Sequence, residues 1–188
     1  MRELLLVAGI HLLAVMSPGP DFAMVLRNSV VYSRRVGIQA AVGLGLGILL
    51  HVTYSLLGIG LVISQSVLLF NVIKYLGALY LIYIGVKSLF SKKESVPGTE
   101  SEVTHVKKSI SDFEAIRMGF LTNAINPKAT LFFLALFTQV INPETALGIK
   151  VLYGLEMSIA TFAWFAFVAL VLTHRHIQKL FVNFRHNL

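Results

Sequence analysis

Long apolar runs separated by short polar tracts dominate the chain. A helix needs about 20 mostly apolar residues to cross a bilayer. Five runs reach that length and are predicted to be spans: 4–26, 36–63, 67–90, 115–141 and 145–173. None of them is built from the stretches of about 10 alternating residues that are typical of a transmembrane barrel strand. The pattern therefore predicts an all-α fold, a polytopic transmembrane helix bundle.

One substantial polar stretch, 91–112, divides these spans into two units. It is rich in Lys, Glu, Ser and Thr and has almost no apolar periodicity with which to build a core. We therefore predict a first three-helix unit at 1–90, a flexible linker at 91–112 and a second unit at 113–188. An odd number of spans per unit inverts the second unit relative to the first, as in many secondary transporters. The second unit has two spans, so an inverted 3+3 repeat would lack its sixth helix.

The basic residues indicate how the bundle is oriented. Most of the 16 lysine and arginine residues lie in the tracts that follow the first, third and fifth spans. Because cytoplasmic loops carry the excess of Lys and Arg, the N-terminus is expected outside the cell and the linker in the cytoplasm. The net charge of +7 thus reflects topology. A nucleic-acid reader would instead gather its basic residues on one folded face.

Composition agrees with a membrane protein and removes several chemistries. Hydrophobic residues make up 56% and charged residues 13% of the 188 positions. An ordinary soluble domain has roughly 45–50% and 25%. Cysteine is absent, which excludes disulfides, thiol catalysis and cysteine-based metal sites.

Small residues in the second span predict a close helix contact. Gly37, Ala41 and Gly45 recur at four-residue spacing, with Gly43 and Gly47 beside them. Small side chains let helix backbones approach closely in a bilayer, where lipid gives little hydrophobic drive for helix association. We expect tight packing along this face.

The first span is broken by Pro18, Gly19 and Pro20, and Asp21 follows directly. The two prolines remove backbone donors, so nearby carbonyls lose their helical partners. Such irregular backbone persists at membrane depth only where it is buried in protein or lines a watery cavity, and transporters use broken helices as binding sites. A carboxylate at the start of the second half-helix also gains from the helix N-terminus.

The fourth span repeats this device between Asn123 and Lys128. Pro127 frees a carbonyl, and Asn123 and Asn126 supply side-chain donors and acceptors. Each break thus has an ionisable residue just after its proline, which a purely structural kink does not require. An amino-acid zwitterion suits this set, with Asp21 facing its ammonium group and the fourth-span residues facing its carboxylate. Without substrate, Asp21 and Lys128 are expected to neutralise one another.

Four further ionisable residues lie inside the predicted spans: His11, His51, Lys74 and Glu156. Such residues are costly in a bilayer, where they pair with one another or mark proton and substrate pathways. Glu156 lies deep in the fifth span, so we expect it to pair with a cation such as Lys128 or to take part in proton movement. Lys74 can instead snorkel to the outer interface. The histidines serve either as packing residues or as proton carriers.

Four stretches carry a family resemblance. They are HLLAVMSPGPDFAMVL at 11–26, GIQAAVGLGLG at 37–47, KYLGALYLIYIG at 74–85 and GFLTNAINPKATLFF at 119–133. The chain resembles the LysE/RhtB family of amino-acid exporters and is most similar to its homoserine and threonine efflux branch. The family's motif residues map onto these positions: Pro18, Gly19, Pro20, Asp21, Asn126, Pro127 and Lys128.

The resemblance implies an inner-membrane exporter of amino acids that is driven by the proton gradient and forms a homodimer. Family members typically have a sixth hydrophobic segment, whereas this chain ends at Leu188 soon after the fifth. All the residues of the two motifs precede that point.

Three other classes of protein fit these residues less well than an exporter of amino acids. A divalent-cation exporter needs clustered Asp, His or Cys, and the chain offers scattered His11, His51, Asp21 and Glu156. A membrane-embedded enzyme needs a paired catalytic set such as two aspartates or HExxH, but the first span offers Asp21 alone and no HExxH occurs. A scaffold subunit leaves the ionisable residues of both breaks without a purpose. We therefore expect a transporter without enzymatic activity, cofactor or metal centre.

Overall fold

The computed structural model describes residues 2–66 and 110–173 and individual positions between 68 and 86. Its long described segments form six helices and no strand. The helices are α1 (Arg2–Met16), α2 (Pro20–Val31), α3 (Arg34–Gln65), α4 (Asp112–Ala124), α5 (Pro127–Gln139) and α6 (Leu147–Leu172). The predicted all-α fold is confirmed. Most of the predicted third span, the linker as far as residue 109, and Lys74 lie outside the described residues.

Two kinds of membrane span are present. Arg34–Gly58 within α3 and Leu147–Leu172, which is α6, are each long and apolar enough to cross a bilayer. The α1–α2 and α4–α5 pairs meet the same criterion only together, and they bend by 57° and 59° at their breaks. The prediction that the first and fourth spans are broken by proline is therefore confirmed.

Local sequence explains where the half-helices begin. Pro20 and Pro127 occupy the first turns of α2 and α5, where a missing N–H costs nothing and the fixed φ suits a helix. Asn126 caps α5, because its side chain accepts a hydrogen bond of 3.0 Å from the Lys128 amide. Gly19, in extended conformation, precedes α2. Each break is thus a helix end followed at once by a helix start.

The glycines of α3 bring two neighbouring helices close, as the sequence predicted. A Cβ on Gly43 would meet the backbone of α4 at Ile116 and Phe120. Gly45 lies against α6, where the Ser158 hydroxyl donates a hydrogen bond of 2.7 Å to its carbonyl. The central helix α3 therefore packs between α4 and α6 through backbone contacts.

Two apolar clusters are arranged one after the other along the bundle. One contains Ile48 and Met157, and the other contains Leu44 and Phe165. On α6, Thr161 lies one turn from both Met157 and Phe165. The layer between the clusters is therefore where polar side chains of the bundle interior can gather.

Hydrogen bonds and an ion pair join the helices at the two ends of the bundle. At one end, the Arg34 guanidinium donates a hydrogen bond of 2.9 Å to Thr173 after α6, and Arg35 forms an ion pair with Asp112 of α4. At the other end, the Glu3 carboxylate accepts hydrogen bonds from the Asn142 amide and the Thr145 hydroxyl. The starts of α3 and α4 and the end of α6 therefore share one end of the bundle.

Replacing Gly43 with Ala is expected to destabilise the protein, because the new methyl group would meet helix backbone that cannot rotate away. Overpacking of this kind typically costs about 1–3 kcal/mol, so the temperature of thermal unfolding in detergent should fall. Gly9→Ala is the matched control, since no described atom lies within 4 Å of its added methyl. Equal unfolding temperatures for both variants would contradict the close contact.

Candidate functional site

A cavity lined by both polar and apolar residues lies where the two broken helix pairs meet. Its free space, counted together with its open mouth, is about 460 Å³. The four residues that sequence analysis singled out all line it: Asp21, Asn123, Asn126 and Lys128. The structure therefore brings both breaks, and the charged residue of each, to one place.

Asp21 binds across the cavity to the other broken span. Asn123 Nδ2 donates a hydrogen bond of 2.8 Å to Asp21 Oδ2. The second oxygen, Oδ1, is buried and meets the geometry of a hydrogen bond with no described residue, although the Asn126 side chain lies close by. A buried carboxylate oxygen in this state is an acceptor that an incoming donor can use.

Lys128 replaces the hydrogen-bond donor that Pro18 cannot supply to the end of α1. Its ammonium group donates hydrogen bonds of 3.2 Å to the Ala14 carbonyl and 2.8 Å to the Ser17 carbonyl. In an unbroken helix the Ala14 carbonyl would accept from the amide of residue 18, but proline has no N–H. Lys128 supplies that missing donor from another helix. The charge of Lys128 also acts on Asp21, and neutralisation of one by the other stays a prediction.

His51 contacts a backbone carbonyl at the second break. Its Nε2 lies 2.9 Å from the Asn123 carbonyl, which Pro127 deprives of its ordinary helical donor and which also accepts a hydrogen bond of 2.9 Å from the Asn126 backbone amide. Because a carbonyl only accepts, Nε2 must carry a proton, and Nδ1 contacts the Tyr54 hydroxyl. The ring also stacks on Phe133, with centroids 5.4 Å apart and planes 4° from parallel. His51 therefore fixes the break that carries Asn123, and a part in proton movement stays a prediction.

His11 lines the same cavity from α1. Its ring is buried among Phe132 and Phe133, and its Nε2 lies 3.2 Å from the Thr161 hydroxyl on α6. Both His11 and Thr161 belong to the layer between the two apolar clusters. The sequence predicted either packing or proton carrying for His11, and the structure adds contact with the cavity.

Glu156 lies on α6 and is partly buried. Its Oε2 is buried and makes no hydrogen bond within the described part of the chain. Lys128, its predicted partner, donates hydrogen bonds to the Ala14 and Ser17 carbonyls, and pairing of Glu156 with Lys128 stays a prediction. A role for Glu156 in proton movement stays a prediction.

Sequence reasoning missed Thr161 and the aromatic walls of the cavity, Phe132, Phe133 and Phe165. Thr161 gave a weak signal as a hydroxyl within a strongly apolar span, but the phenylalanines could not be told from lipid-facing ones. Among the residues that the structure describes, no group of three or more His, Cys, Asp or Glu could hold a metal ion.

Apolar spans, two bent helix pairs and a cavity between the breaks define a polytopic α-helical membrane protein with a broken-helix site. The LysE type translocator family matches residues 12–181. The chain belongs to this family.

Named relatives cover most of the chain. The membrane protein YrhP of Bacillus subtilis (strain 168) is 31% identical over 93% of this chain and 85% of its own length. The threonine efflux protein of Escherichia coli (strain K12) is 33% identical over 88% of this chain and 79% of its own. The leucine efflux protein of Salmonella choleraesuis (strain SC-B67) is 33% identical over 83% of this chain and 72% of its own length. No solved structure matches the chain.

Proposed function

We propose that this protein exports amino acids from the cytoplasm and that the substrate binds as a zwitterion between the two broken helices. The observation that carries the proposal is the meeting of Asp21 and Lys128, one from each break, at a single cavity. Membership of a translocator family and similarity to proteins named for threonine and leucine efflux support it.

The existing hydrogen bonds indicate how a zwitterion would bind. Its ammonium group would donate to Asp21 Oδ1, the buried oxygen without a described hydrogen-bond partner. Its carboxylate would accept from Lys128 and from the side-chain amides of Asn123 and Asn126. The carboxylate would then compete with the α1 carbonyls for the ammonium group of Lys128. Substrate binding would in this way be linked to the geometry of the first break.

We further propose alternating access driven by the proton gradient, with threonine or homoserine as substrate and a homodimer as the assembly. Broken helices around a central site are the usual basis of alternating access. The division of the chain at residues 91–112 into two transmembrane units belongs to the same proposal. Similarity to a threonine efflux protein supports the substrate.

The decisive experiment measures efflux from vesicles that contain the purified full-length protein. Vesicles are preloaded with radiolabelled threonine, homoserine, leucine or lysine, and a proton gradient is imposed with and without an uncoupler. We expect efflux of threonine and homoserine that the uncoupler slows. If correctly inserted protein moved none of the four amino acids faster than empty vesicles, the proposal would fail. Efflux that ignored the uncoupler would remove proton coupling alone.

The proposed orientation places the inner-membrane protein with its N-terminus outside the cell. The end that carries Arg34 and Arg35 would then face the cytoplasm, in agreement with the excess of basic residues in cytoplasmic loops. The chain has no cysteine, so single cysteines report position without background. In intact cells, an impermeant maleimide is expected to label Glu144→Cys but not Ser111→Cys. The reverse pattern would overturn the orientation.

A further inference from the structure

The pair formed by His11 and Thr161 is the polar part of the cavity that the proposed zwitterion contacts do not use. The two side chains come from α1 and α6, and each is only 1% exposed. His11 Nε2 lies 3.2 Å from the Thr161 hydroxyl. Two buried polar side chains thus meet in the wall of the cavity.

His11 keeps an unused hydrogen-bonding atom. Its Nδ1 is buried and has no hydrogen-bond partner within the described residues. A buried polar atom in this state is costly, so its presence in a cavity wall indicates that a ligand can satisfy it. The neighbouring lining is apolar, with Val15, Ile48 and Phe165 among its members. This part of the cavity is therefore an apolar chamber with one polar spot.

The chamber is close to the two breaks. His11 precedes Ala14 by one helical turn, or about 5 Å along α1, and the Ala14 carbonyl accepts a hydrogen bond from Lys128. A zwitterion that has its charged groups at the breaks would therefore direct a short side chain toward His11. A long side chain would meet Phe132 and Phe133, which pack around the ring.

We propose that His11 and Thr161 form the side-chain subsite of the transporter and select a short hydroxyl-bearing amino acid over an aliphatic one of the same shape. The inference rests on the proposed export of amino acids. A hydroxyl both donates and accepts, so it can satisfy His11 Nδ1 in either tautomer. An isosteric methyl group would leave that nitrogen buried without a partner. Sites built to bind a hydroxyl reject the analogue that lacks it far better than apolar sites reject an extra group.

The test compares threonine with valine, two amino acids of the same shape that differ by a hydroxyl. Efflux of each is measured from preloaded vesicles that contain the full-length protein. We expect the wild type to move threonine at least about tenfold faster than valine at low concentration, a modest value for a hydroxyl-binding site. Thr161→Val keeps the shape of the wall but removes the hydroxyl that holds His11 through its Nε2, so Nδ1 is no longer fixed toward the substrate and this ratio should fall close to unity. His11→Gln provides a second variant if Thr161→Val is poorly inserted.

Thr138→Val is the matched control. Thr138 is also buried, but its hydroxyl donates to the Leu134 carbonyl within its own helix, and it does not line the cavity. Its threonine-to-valine ratio should equal that of the wild type. A wild-type protein that moves both amino acids equally well, or a Thr161→Val variant that keeps the wild-type ratio, overturns the inference while amino-acid export stands. Failure of the wild type to move any amino acid removes the proposed function itself.

Discussion

Replacing Asp21 with Asn is expected to lower amino-acid export by about tenfold to a hundredfold while leaving membrane insertion intact. The substitution removes the charge that would face the substrate's ammonium group. A hydrogen bond to a charged group is worth about 1.5–3 kcal/mol, which sets the size of the loss. The fold should persist, because the Asn side chain keeps the shape of Asp and an oxygen that can accept the hydrogen bond from Asn123.

Initial rates of threonine efflux from vesicles, normalised to inserted protein, measure this effect. Glu114→Gln is the matched control, since it removes the same charge from an exposed position at the start of α4, where Gln is equally acceptable. We expect wild-type rates from the control. Wild-type rates from Asp21→Asn as well would show that the first break is structural and that its carboxylate does not contact substrate.

Replacing Lys128 with Met is expected to abolish export and also to destabilise the protein. The variant keeps an apolar side chain of similar length, but it leaves the Ala14 and Ser17 carbonyls without their donor. Adding Pro18→Ala should recover much of the lost stability, because the new amide can donate to Ala14 as in an ordinary helix turn. Export should not return, because the substrate carboxylate would still lack a cation. Unfolding temperature in detergent and efflux rate separate these two roles.

Lys150→Met provides the control for this pair. Lys150 also donates a hydrogen bond to a backbone carbonyl, that of Pro143, but at an exposed position far along the chain from either break. It should unfold close to the wild-type temperature and export normally. If Pro18→Ala gave no recovery in the Lys128→Met background, Lys128 would not be the replacement for the amide that Pro18 lacks. If the double variant exported at wild-type rates, Lys128 would have no role in binding.

The breaks and the apolar helices were predictable because their causes are local. Proline removes a donor wherever it stands, so Pro18, Pro20 and Pro127 were sufficient to place both bends. The glycine spacing on α3 likewise predicted close packing, which Gly43 and Gly45 show. These features depend on residues within a few positions of one another.

The partners of the freed carbonyls were not predictable in the same way. Lys128 reaches Ala14 across 114 positions of sequence, and His51 reaches Asn123 across 72. Which side chain lies opposite a given carbonyl depends on how far one helix is rotated and shifted along another. The order of apolar and polar residues in the sequence does not determine that rotation or shift. The opposite charges of Asp21 and Lys128 suggested that the two neutralise one another, but the backbone carbonyls that also bind Lys128 could not be predicted.

The polar contacts that join the helices at the two ends of the bundle contribute little to its stability. The side chains of Arg35 and Asp112 are 76% and 38% exposed, and exposed ion pairs are worth about 0–1 kcal/mol. At the opposite end, the Glu3 carboxylate accepts hydrogen bonds from two neutral donors, the Asn142 backbone amide and the Thr145 hydroxyl. The end that carries Arg35 and Asp112 is therefore held mainly by helix packing, such as the backbone contact of α3 with α4 at Gly43, rather than by charge.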